Sequence, residues 1–517
     1  MKLVSRLNLW NYTSANLVLL IYSIYSKFYI IRFMITLDFE KRGNQTLTDF
    51  LYNSIKTQIQ DGLLSEKEKL PSKRALSQHL GISVITVQNA YSQLIDEGYI
   101  FSIEKKGFFV SDIARHLKKK VKQADEIENP VHTQLSGQFS SQPYFADFTS
   151  NTALPGKFPF SLWSRTMRQV LASENEKLLK RTDVFGTLEL RRAICHHLKA
   201  FRNMDISENQ VIIGAGTESL YSMLVQFLGR DEVFAVENPG YHKAAEIFKL
   251  NGTKCQPVNI DEHGIIVEEL QKSNANVVHV SPSHHFPSGV IMNFKRRTEL
   301  LDWAYSCKNH FIIEDDYDSE FRFTGKPLPT LQSIDQKDRV IYINTFSKTL
   351  SPSFRISYMI LPLQLAKAFS KKLGFYSCQV SSFEQFTLAR FIEEGHYEKH
   401  INRMKNYYRS LRNNLITAIE NSELSKVFTI HEENSGLHFL LTIKPEIKAP
   451  SQTAGEIQNK WRQEGINIFL LSEYFYDKKK LPAAESFVVN YSGIRRDSVG
   501  KVIQSMSRAL KNLYSTP

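Results

Sequence analysis

Residues 340–355 read VIYINTFSKTLSPSFR, an apolar run followed by a lysine among small and hydroxylated residues. The run from Val340 to Asn344 has the composition of a buried strand, and Lys348 follows it closely, with Arg355 seven residues further along. In open α/β sheets, ligands gather at the carboxyl ends of the strands. The stretch therefore predicts that Lys348 and a second cation, Arg355, lie at the edge of a buried sheet where a ligand would bind.

Four similar apolar runs precede this stretch and alternate with amphipathic segments; they cover residues 210–213, 233–236, 277–280 and 311–314. Such alternation is typical of a mainly parallel sheet covered by helices, so residues 146–517 are predicted to form one large α/β domain. Polar or small residues follow each run at the predicted sheet edge. They are Gly214-Ala215-Gly216-Thr217-Glu218, Asn238-Pro239-Gly240-Tyr241, residues 281–289 and Glu314-Asp315-Asp316-Tyr317.

This order of residues resembles the fold-type I pyridoxal-phosphate enzymes, the aspartate aminotransferase family, over nearly all of residues 146–517. The resemblance implies pyridoxal 5'-phosphate as the cofactor, with Lys348 forming the Schiff base. It also implies that Asp315 holds the pyridine nitrogen, Tyr317 the ring hydroxyl and Tyr241 the ring face. The residues that it implies for the phosphate are Gly216, Thr217, Thr345 and Arg355.

The sequence departs from those enzymes at three places. Phe286 stands where they usually carry an asparagine for the ring oxygen, and Arg181 where a tyrosine often reaches the neighbouring subunit's cofactor phosphate. No arginine lies in the strand-like run 486–491, where they clamp a substrate α-carboxylate. Lys243, two residues beyond Tyr241, is an alternative cation for an effector carboxylate, although lysine lacks the bidentate fork of arginine.

A second pattern lies in residues 46–112. Apolar residues recur at helical spacing from Thr46 to Ile59, and residues 72–97 read as two short helices joined by a turn at Gly81. Ser72 and Ser83 can cap those helices, and residues 100–110 read as a two-stranded wing with a charged turn. We predict a winged helix-turn-helix.

A winged helix-turn-helix suits double-stranded DNA. The helix that opens at Ser83 would present Val84, Ile85, Thr86 and Gln88 to the major groove. The residues predicted to reach the phosphates are Ser72, Lys73, Arg74, Lys105 and Lys106. The run Leu70-Pro71-Ser72-Lys73-Arg74 resembles the element that precedes this motif in the GntR family of bacterial regulators. Many GntR members carry arginine where this chain has Val84, so a different operator is expected.

Both resemblances together are those of the MocR subfamily of GntR regulators. They imply a cytoplasmic homodimer, often head to tail, that binds an operator and senses an amino compound such as γ-aminobutyrate, or the cofactor itself. Residues 113–145 are predicted to be a linker, whose lysine run 118–120 is a solvated face or a DNA contact. Two alternatives stay open: a catalytic aminotransferase with a DNA-binding domain, and a DNA-binding protein whose large domain only dimerises.

The composition of the chain limits the classes of protein to which it can belong. Hydrophobic residues are 42% and charged residues 23%, which is ordinary globular usage, and the net charge of +12 favours a polyanionic partner. The four cysteines, 195, 255, 307 and 378, are too far apart for a short-spaced metal motif, and a reducing compartment suits them. The apolar run 16–31 is short for a membrane span and contains Lys27, so we predict no membrane anchor. We also predict that residues 1–33 are a non-native or disordered extension before Met34.

Overall fold

The computed structural model describes residues 45–112, 144–149 and 156–514, together with Leu37, Arg42 and Gly43. Within these ranges it leaves out residues 324, 326–327, 448–449, 478–480 and 482–483. The chain divides into two compact units, residues 1–140 and 141–517. The predicted extension 1–33 and nearly all of the predicted linker, including the lysine run 118–120, lie outside the described residues.

The N-terminal unit is a winged helix-turn-helix, as predicted. Its elements are α1 (Leu47–Gln60), β1 (Lys69–Leu70), α2 (Lys73–Leu80), α3 (Val84–Asp96), β2 (Ile100–Ile103) and β3 (Gly107–Val110). The antiparallel sheet has the order β1-β3-β2. Gly81 ends α2 in the left-handed region with φ +67°, a conformation that glycine adopts without strain. Leu51, Ile55, Leu76 and Leu94 are fully buried in the core between the helices.

The C-terminal unit is built on an eight-stranded sheet with the order β5-β12-β11-β10-β9-β6-β7-β8. Its strands are β5 (Val211–Gly214), β6 (Val233–Asn238), β7 (Lys254–Asp261), β8 (Gly264–Ile265), β9 (Val277–Val280), β10 (Phe311–Asp315), β11 (Val340–Thr345) and β12 (Ser357–Ile360). The five apolar runs are all strands, which confirms the predicted α/β class. Only β12 and β8 run antiparallel to their neighbours.

Helices cover this sheet, and a smaller sheet is formed by strands that come later in the chain. They are α4 (Phe160–Ser173), α5 (Asn175–Leu178), α6 (Leu188–Arg202), α7 (Thr217–Leu228), α8 (His242–Leu250), α9 (Val267–Lys272), α10 (Phe294–Ser306), α11 (Leu331–Ile334), α12 (Leu363–Leu373), α13 (Ser382–Glu393), α14 (His396–Glu420), α15 (Leu424–Val427), α16 (Pro450–Gln463) and α17 (Val499–Tyr514). The smaller sheet has the order β13-β14-β17-β16.

The strands of the smaller sheet are β13 (Phe428–His431), β14 (His438–Ile443), β16 (Phe469–Leu470) and β17 (Ser486–Asn490). A separate parallel pair joins β4 (Ala146–Asp147) to β15 (Ile466–Asn467). Of the helices in the described ranges, none combines the length and the apolar character needed to cross a bilayer.

The inserted strand β12 positions the functional edge of the large sheet. Ser357, its first residue, pairs with Thr345 at the end of β11 and with Gly214 at the end of β5. Ser357 therefore lies between the carboxyl ends of β11 and β5 and pairs with the last residue of each. This register brings the turn that begins at Gly214 next to the segment that carries Lys348.

Candidate functional site

Gly216, Thr217 and Arg355, three of the residues predicted to bind the phosphate, lie in one corner at the N-terminus of α7. Gly216 precedes α7 with φ +88°, and a Cβ placed there would lie 2.5 Å from Arg355 Nη2. The guanidinium group of Arg355 therefore packs directly on this glycine, where a larger residue would displace it. The backbone N–H groups that open a helix and an arginine side chain together favour a bound anion.

Two of the predicted cations meet at one carboxylate in this corner. Arg355 Nη2 donates to Glu218 Oε2 at 2.8 Å, and Lys243 forms an ion pair with Glu218 Oε1. The hydrogen bond from Lys243, with a smaller effect from Arg355, lowers the pKa of Glu218. Glu218 follows Thr217 in the sequence, but no role was predicted for it. Lys243, predicted to bind an effector carboxylate, already has an acidic partner here.

Thr345 and Thr217, the two threonines predicted to bind phosphate, lie at this edge. The Thr345 hydroxyl accepts hydrogen bonds from Ser347 N at 3.1 Å and from Ser357 Oγ at 2.8 Å. Thr345 therefore shapes the turn that leads into Lys348. Thr217 is the first residue of α7, so its backbone N–H is one of those that open the helix.

Asp315 ends β10 and is buried with one oxygen satisfied and one unsatisfied. Its Oδ2 accepts from the Tyr221 hydroxyl at 2.6 Å and lies 3.5 Å from His279 Nε2. Because Tyr221 donates to Asp315, its hydroxyl oxygen is left to accept from His279 at 3.1 Å. Among the described residues, Asp315 Oδ1 has no hydrogen-bond partner. A buried carboxylate oxygen of this kind is available to accept a hydrogen bond from a ligand.

Lys348 is partly buried beside a tyrosine and two carboxylates. Its Nζ lies 5.5 Å from the centre of the Tyr317 ring, and within the described parts of the chain it forms no hydrogen bond or ion pair. Burial lowers the pKa of Lys348, while the charges of Asp318 and Asp315 oppose that shift. Burial thus favours the neutral amine, the form that attacks a carbonyl.

Tyr317 and Asp318 are tied to the segment that follows β9. The Tyr317 hydroxyl donates to the backbone oxygen of His284 at 3.0 Å, and His284 Nδ1 lies 2.9 Å from Asp318 Oδ1. A Cβ on Gly436 would lie 2.5 Å from Asp318 Oδ2 and 2.8 Å from His284 Nδ1, so this glycine makes room for the pair. The smaller sheet thereby contributes to the wall of the site.

An aromatic wall stands at the opening of the site. The ring of Phe286, the departure noted in the sequence, lies edge to face with Tyr241 at 6.5 Å, with His438 at 5.4 Å and with Tyr474 at 5.2 Å. Tyr241 is 40% exposed, so part of its side chain is accessible to a ligand. Phe286 contributes a hydrophobic surface where an asparagine would contribute an amide.

Three further groups near the edge, Glu237, Tyr221 and His279, escaped the sequence analysis, and His285 lies beside Glu237. Glu237, at the end of β6, accepts from Ser281 N at 2.9 Å, and burial raises its pKa to about 8. His285 packs 3.5 Å from Glu237, and burial lowers its pKa to about 3. Tyr221 and His279 also escaped it, since they belong to a helix face and to the middle of a strand. The position of Glu237 directly after the apolar run 233–236 was the available signal.

These groups fit pyridoxal phosphate. The unsatisfied Asp315 Oδ1 suits a protonated pyridine nitrogen, and the corner of Gly216, α7 and Arg355 suits a phosphate. Lys348 supplies an amine that has no ion pair within the described residues, and Tyr241 supplies a partly exposed aromatic ring. The described residues contain no cluster of three or more histidine, cysteine or acidic side chains that could hold a metal ion.

The N-terminal unit presents a mixed apolar and basic surface around α3. Val84 and Ile85, the first residues of α3, are 41% and 71% exposed, and Gln88 is exposed one turn on. Thr86 is half-buried. Arg74 lies in the first turn of α2 and is exposed, as are Lys105 and Lys106 at the tip of the wing.

Ser72 and Ser83 are helix caps in the structure. Ser72 Oγ accepts from Ala75 N at 3.2 Å, and Ser83 Oγ accepts from Thr86 N at 3.0 Å. Lys73 is half-buried, with Nζ 5.6 Å from the Phe108 ring of the wing. Each hydroxyl thus fixes the start of a helix that the DNA-binding prediction requires.

Comparison with known proteins assigns a family to each unit. Residues 47–110 match the gntR family of bacterial regulatory proteins, and residues 147–483 match the aminotransferase class I and II family. The chain is 37% identical over 465 residues to YdeL of Bacillus subtilis, an uncharacterized HTH-type transcriptional regulator. That alignment covers 89% of this chain and 96% of YdeL.

A second relative and a solved structure extend the comparison. The chain is 29% identical over 476 residues to MocR of Rhizobium meliloti, a probable rhizopine catabolism regulatory protein; the alignment covers 90% of this chain and 94% of MocR. The crystal structure of Pyrococcus horikoshii kynurenine aminotransferase superposes with a TM-score of 0.62 at 22% identity. This match covers 78% of this chain and 99% of the aminotransferase, and it shows the fold alone.

Proposed function

The chain belongs to the MocR-type transcriptional regulators of the GntR family, and from this premise we propose that its aminotransferase-like unit senses an amino compound or pyridoxal phosphate itself and thereby controls operator binding. The observation that carries the proposal is the buried, unsatisfied Asp315 Oδ1 near Lys348, on a chain that also has a DNA-binding unit. Groups suited to a reactive aldehyde cofactor are thus present in a regulator.

Each residue of the site has a proposed role in binding the cofactor or the effector. Pyridoxal phosphate, when bound, supplies an aldehyde that condenses with amines and a ring that accepts electrons. Lys348 would supply the amine, whose neutral form burial favours, Asp315 would keep a proton on the ring nitrogen, and Arg355 would bind the phosphate with the N-terminus of α7. Tyr317 is the proposed partner of the ring oxygen, and to donate to it the hydroxyl must leave the His284 backbone oxygen. An effector amine would compete with Lys348 for the same carbonyl carbon.

The partner of the N-terminal unit is double-stranded DNA, and we propose that Val84, Ile85, Thr86 and Gln88 contact bases. The proposed phosphate contacts are Ser72, Lys73, Arg74, Ser83, Lys105 and Lys106. We further propose that the chain forms a homodimer, because a two-fold symmetric protein binds the two half-sites of an operator. Sedimentation velocity of the purified chain would give twice the monomer mass if this is correct. The proposed location is the cytoplasm.

A second candidate function is catalytic transamination. It is favoured by the presence of Lys348, Asp315, Tyr317 and Arg355, the groups that the enzymes also need. Two observations count against it: β17 contains no arginine for a substrate carboxylate, and Lys243 is paired with Glu218.

The visible absorption spectrum of the cofactor-loaded chain separates the two candidates. A panel of amino compounds is added without any keto acid, with Lys348→Ala as the control that lacks the lysine. A sensor is expected to show a stable spectral shift with one compound. If the visible band instead disappears and returns only when a keto acid is added, the chain is a working aminotransferase and the sensor proposal is contradicted.

A further inference from the structure

Glu218 places a negative charge in the corner that binds the cofactor's phosphate. It lies in the first turn of α7, one residue after Thr217 and two after Gly216. One of its oxygens accepts from Arg355 Nη2 at 2.8 Å, and the other pairs with Lys243. The carboxylate therefore uses the same guanidinium group that the phosphate requires.

The charges of Arg355, Lys243 and Glu218 determine how strongly this corner attracts a phosphate. A phosphate monoester carries a charge between about −1.5 and −2 at pH 7. Arg355, Lys243 and Glu218 together carry one net positive charge, whereas the two cations alone would carry two. Glu218 is ionised at neutral pH, since its hydrogen bond to Lys243 lowers its pKa. A bound phosphate must take Arg355 from this carboxylate or accept a like charge beside it.

We propose that Glu218 competes with the cofactor's phosphate for Arg355 and so weakens the binding of pyridoxal phosphate to this chain. The inference rests on the proposed function and deepens it. A weakened phosphate site lets the bound fraction of cofactor follow its concentration, which is what a regulator that responds to cofactor supply requires. An enzyme gains nothing from losing its cofactor.

The opposite role for Glu218 makes a different prediction. If the carboxylate served to hold Arg355 in the orientation that the phosphate needs, removing its charge would weaken phosphate binding. Competition requires that removing the charge strengthen it. The sign of the change in the dissociation constant therefore decides between the two roles.

The test compares wild type with Glu218→Gln, which keeps the shape of the side chain and removes its charge. Both are stripped of cofactor and titrated with pyridoxal 5'-phosphate by visible absorption, and with inorganic phosphate by protection against thermal unfolding. Both dissociation constants are expected to fall roughly 3- to 10-fold, the range for removing a like charge from a partly exposed site. The matched control is Glu246→Gln, which loses an equal charge from a pair with Lys249 on α8.

Lys243→Met provides a second variant with the opposite expected sign. Without Lys243, Glu218 pairs with Arg355 alone, so both dissociation constants are expected to rise. In the Glu218→Gln background much of this rise should disappear, because the carboxylate that mediates it is absent. This double-mutant cycle measures the coupling even if one variant is less stable.

The outcomes separate this inference from the proposed function. An unchanged or higher dissociation constant for both probes in Glu218→Gln overturns the inference while leaving the sensor proposal intact. A decrease of the same size in Glu246→Gln also overturns it, since the effect would then reflect overall charge. A wild-type chain that binds no pyridoxal phosphate at all contradicts the proposed function itself.

Discussion

Asp315 is the residue on which cofactor recognition depends most. Its Oδ2 is held by Tyr221, and its Oδ1 is buried and unsatisfied among the described residues. We predict that Asp315→Asn raises the dissociation constant of pyridoxal phosphate about 10- to 100-fold, because a hydrogen bond to a charged group contributes about 1.5–3 kcal/mol. Absorption titration measures the change, with the exposed Asp302→Asn as control. Equal affinity of wild type and Asp315→Asn would contradict this role.

The buried side chain of His438 predicts how the free energy of unfolding depends on pH. Burial lowers the pKa of His438 to about 4, from an ordinary value of 6.5. Between these pH values the unfolded chain binds a proton that the folded chain does not, so stability falls as pH falls through this range. From pH 7 to pH 5 the loss due to His438 is about 2 kcal/mol. We predict that His438→Gln removes this part of the loss in urea unfolding followed by tryptophan fluorescence. A pH dependence identical to that of wild type would count against the shift.

At the scale of elements, the helix caps and the wing of the N-terminal unit have separable roles. We predict that Ser83→Ala lowers the free energy of unfolding of this unit by about 1 kcal/mol, because it removes the cap of α3. Lys105→Ala should change stability by less than about 0.5 kcal/mol but reduce the slope of log affinity against log salt by about 1. Thermal unfolding and DNA binding at several salt concentrations measure these effects. If Lys105→Ala lowered the stability and Ser83→Ala changed only the salt dependence of DNA binding, the roles given to the cap and the wing would be contradicted.

The elements also show how far the sequence could predict the site. Lys348 and Asp315 follow apolar runs, so the rule that ligands gather at strand ends placed them correctly at one edge. Strand β12 could not be placed, although its antiparallel insertion brings Thr345 to Gly214. The partners of Asp315 come from the inward face of α7 and from β9. Glu218 was visible in the sequence, but its pairing with Arg355 spans 137 positions and depends on the folded sheet.

At the scale of the whole molecule, two units of different chemistry belong to one chain. The N-terminal unit carries exposed basic and apolar groups around α3, and the C-terminal unit carries a buried site suited to an aldehyde cofactor. Regulation requires that the chemistry of the second unit change the DNA affinity of the first. Such coupling between two sites changes an affinity by typically 5- to 150-fold.

The measurement that tests this coupling most directly is the DNA affinity of the full chain in four states. They are wild type without cofactor, with cofactor, with cofactor plus the amine that shifts its spectrum, and Lys348→Ala with the same additions. The DNA is a duplex selected from random sequences by the chain itself, at fixed salt. We predict that affinity differs about fivefold or more among the wild-type states, and that Lys348→Ala does not respond to the amine. Equal affinity in all four states would contradict the account.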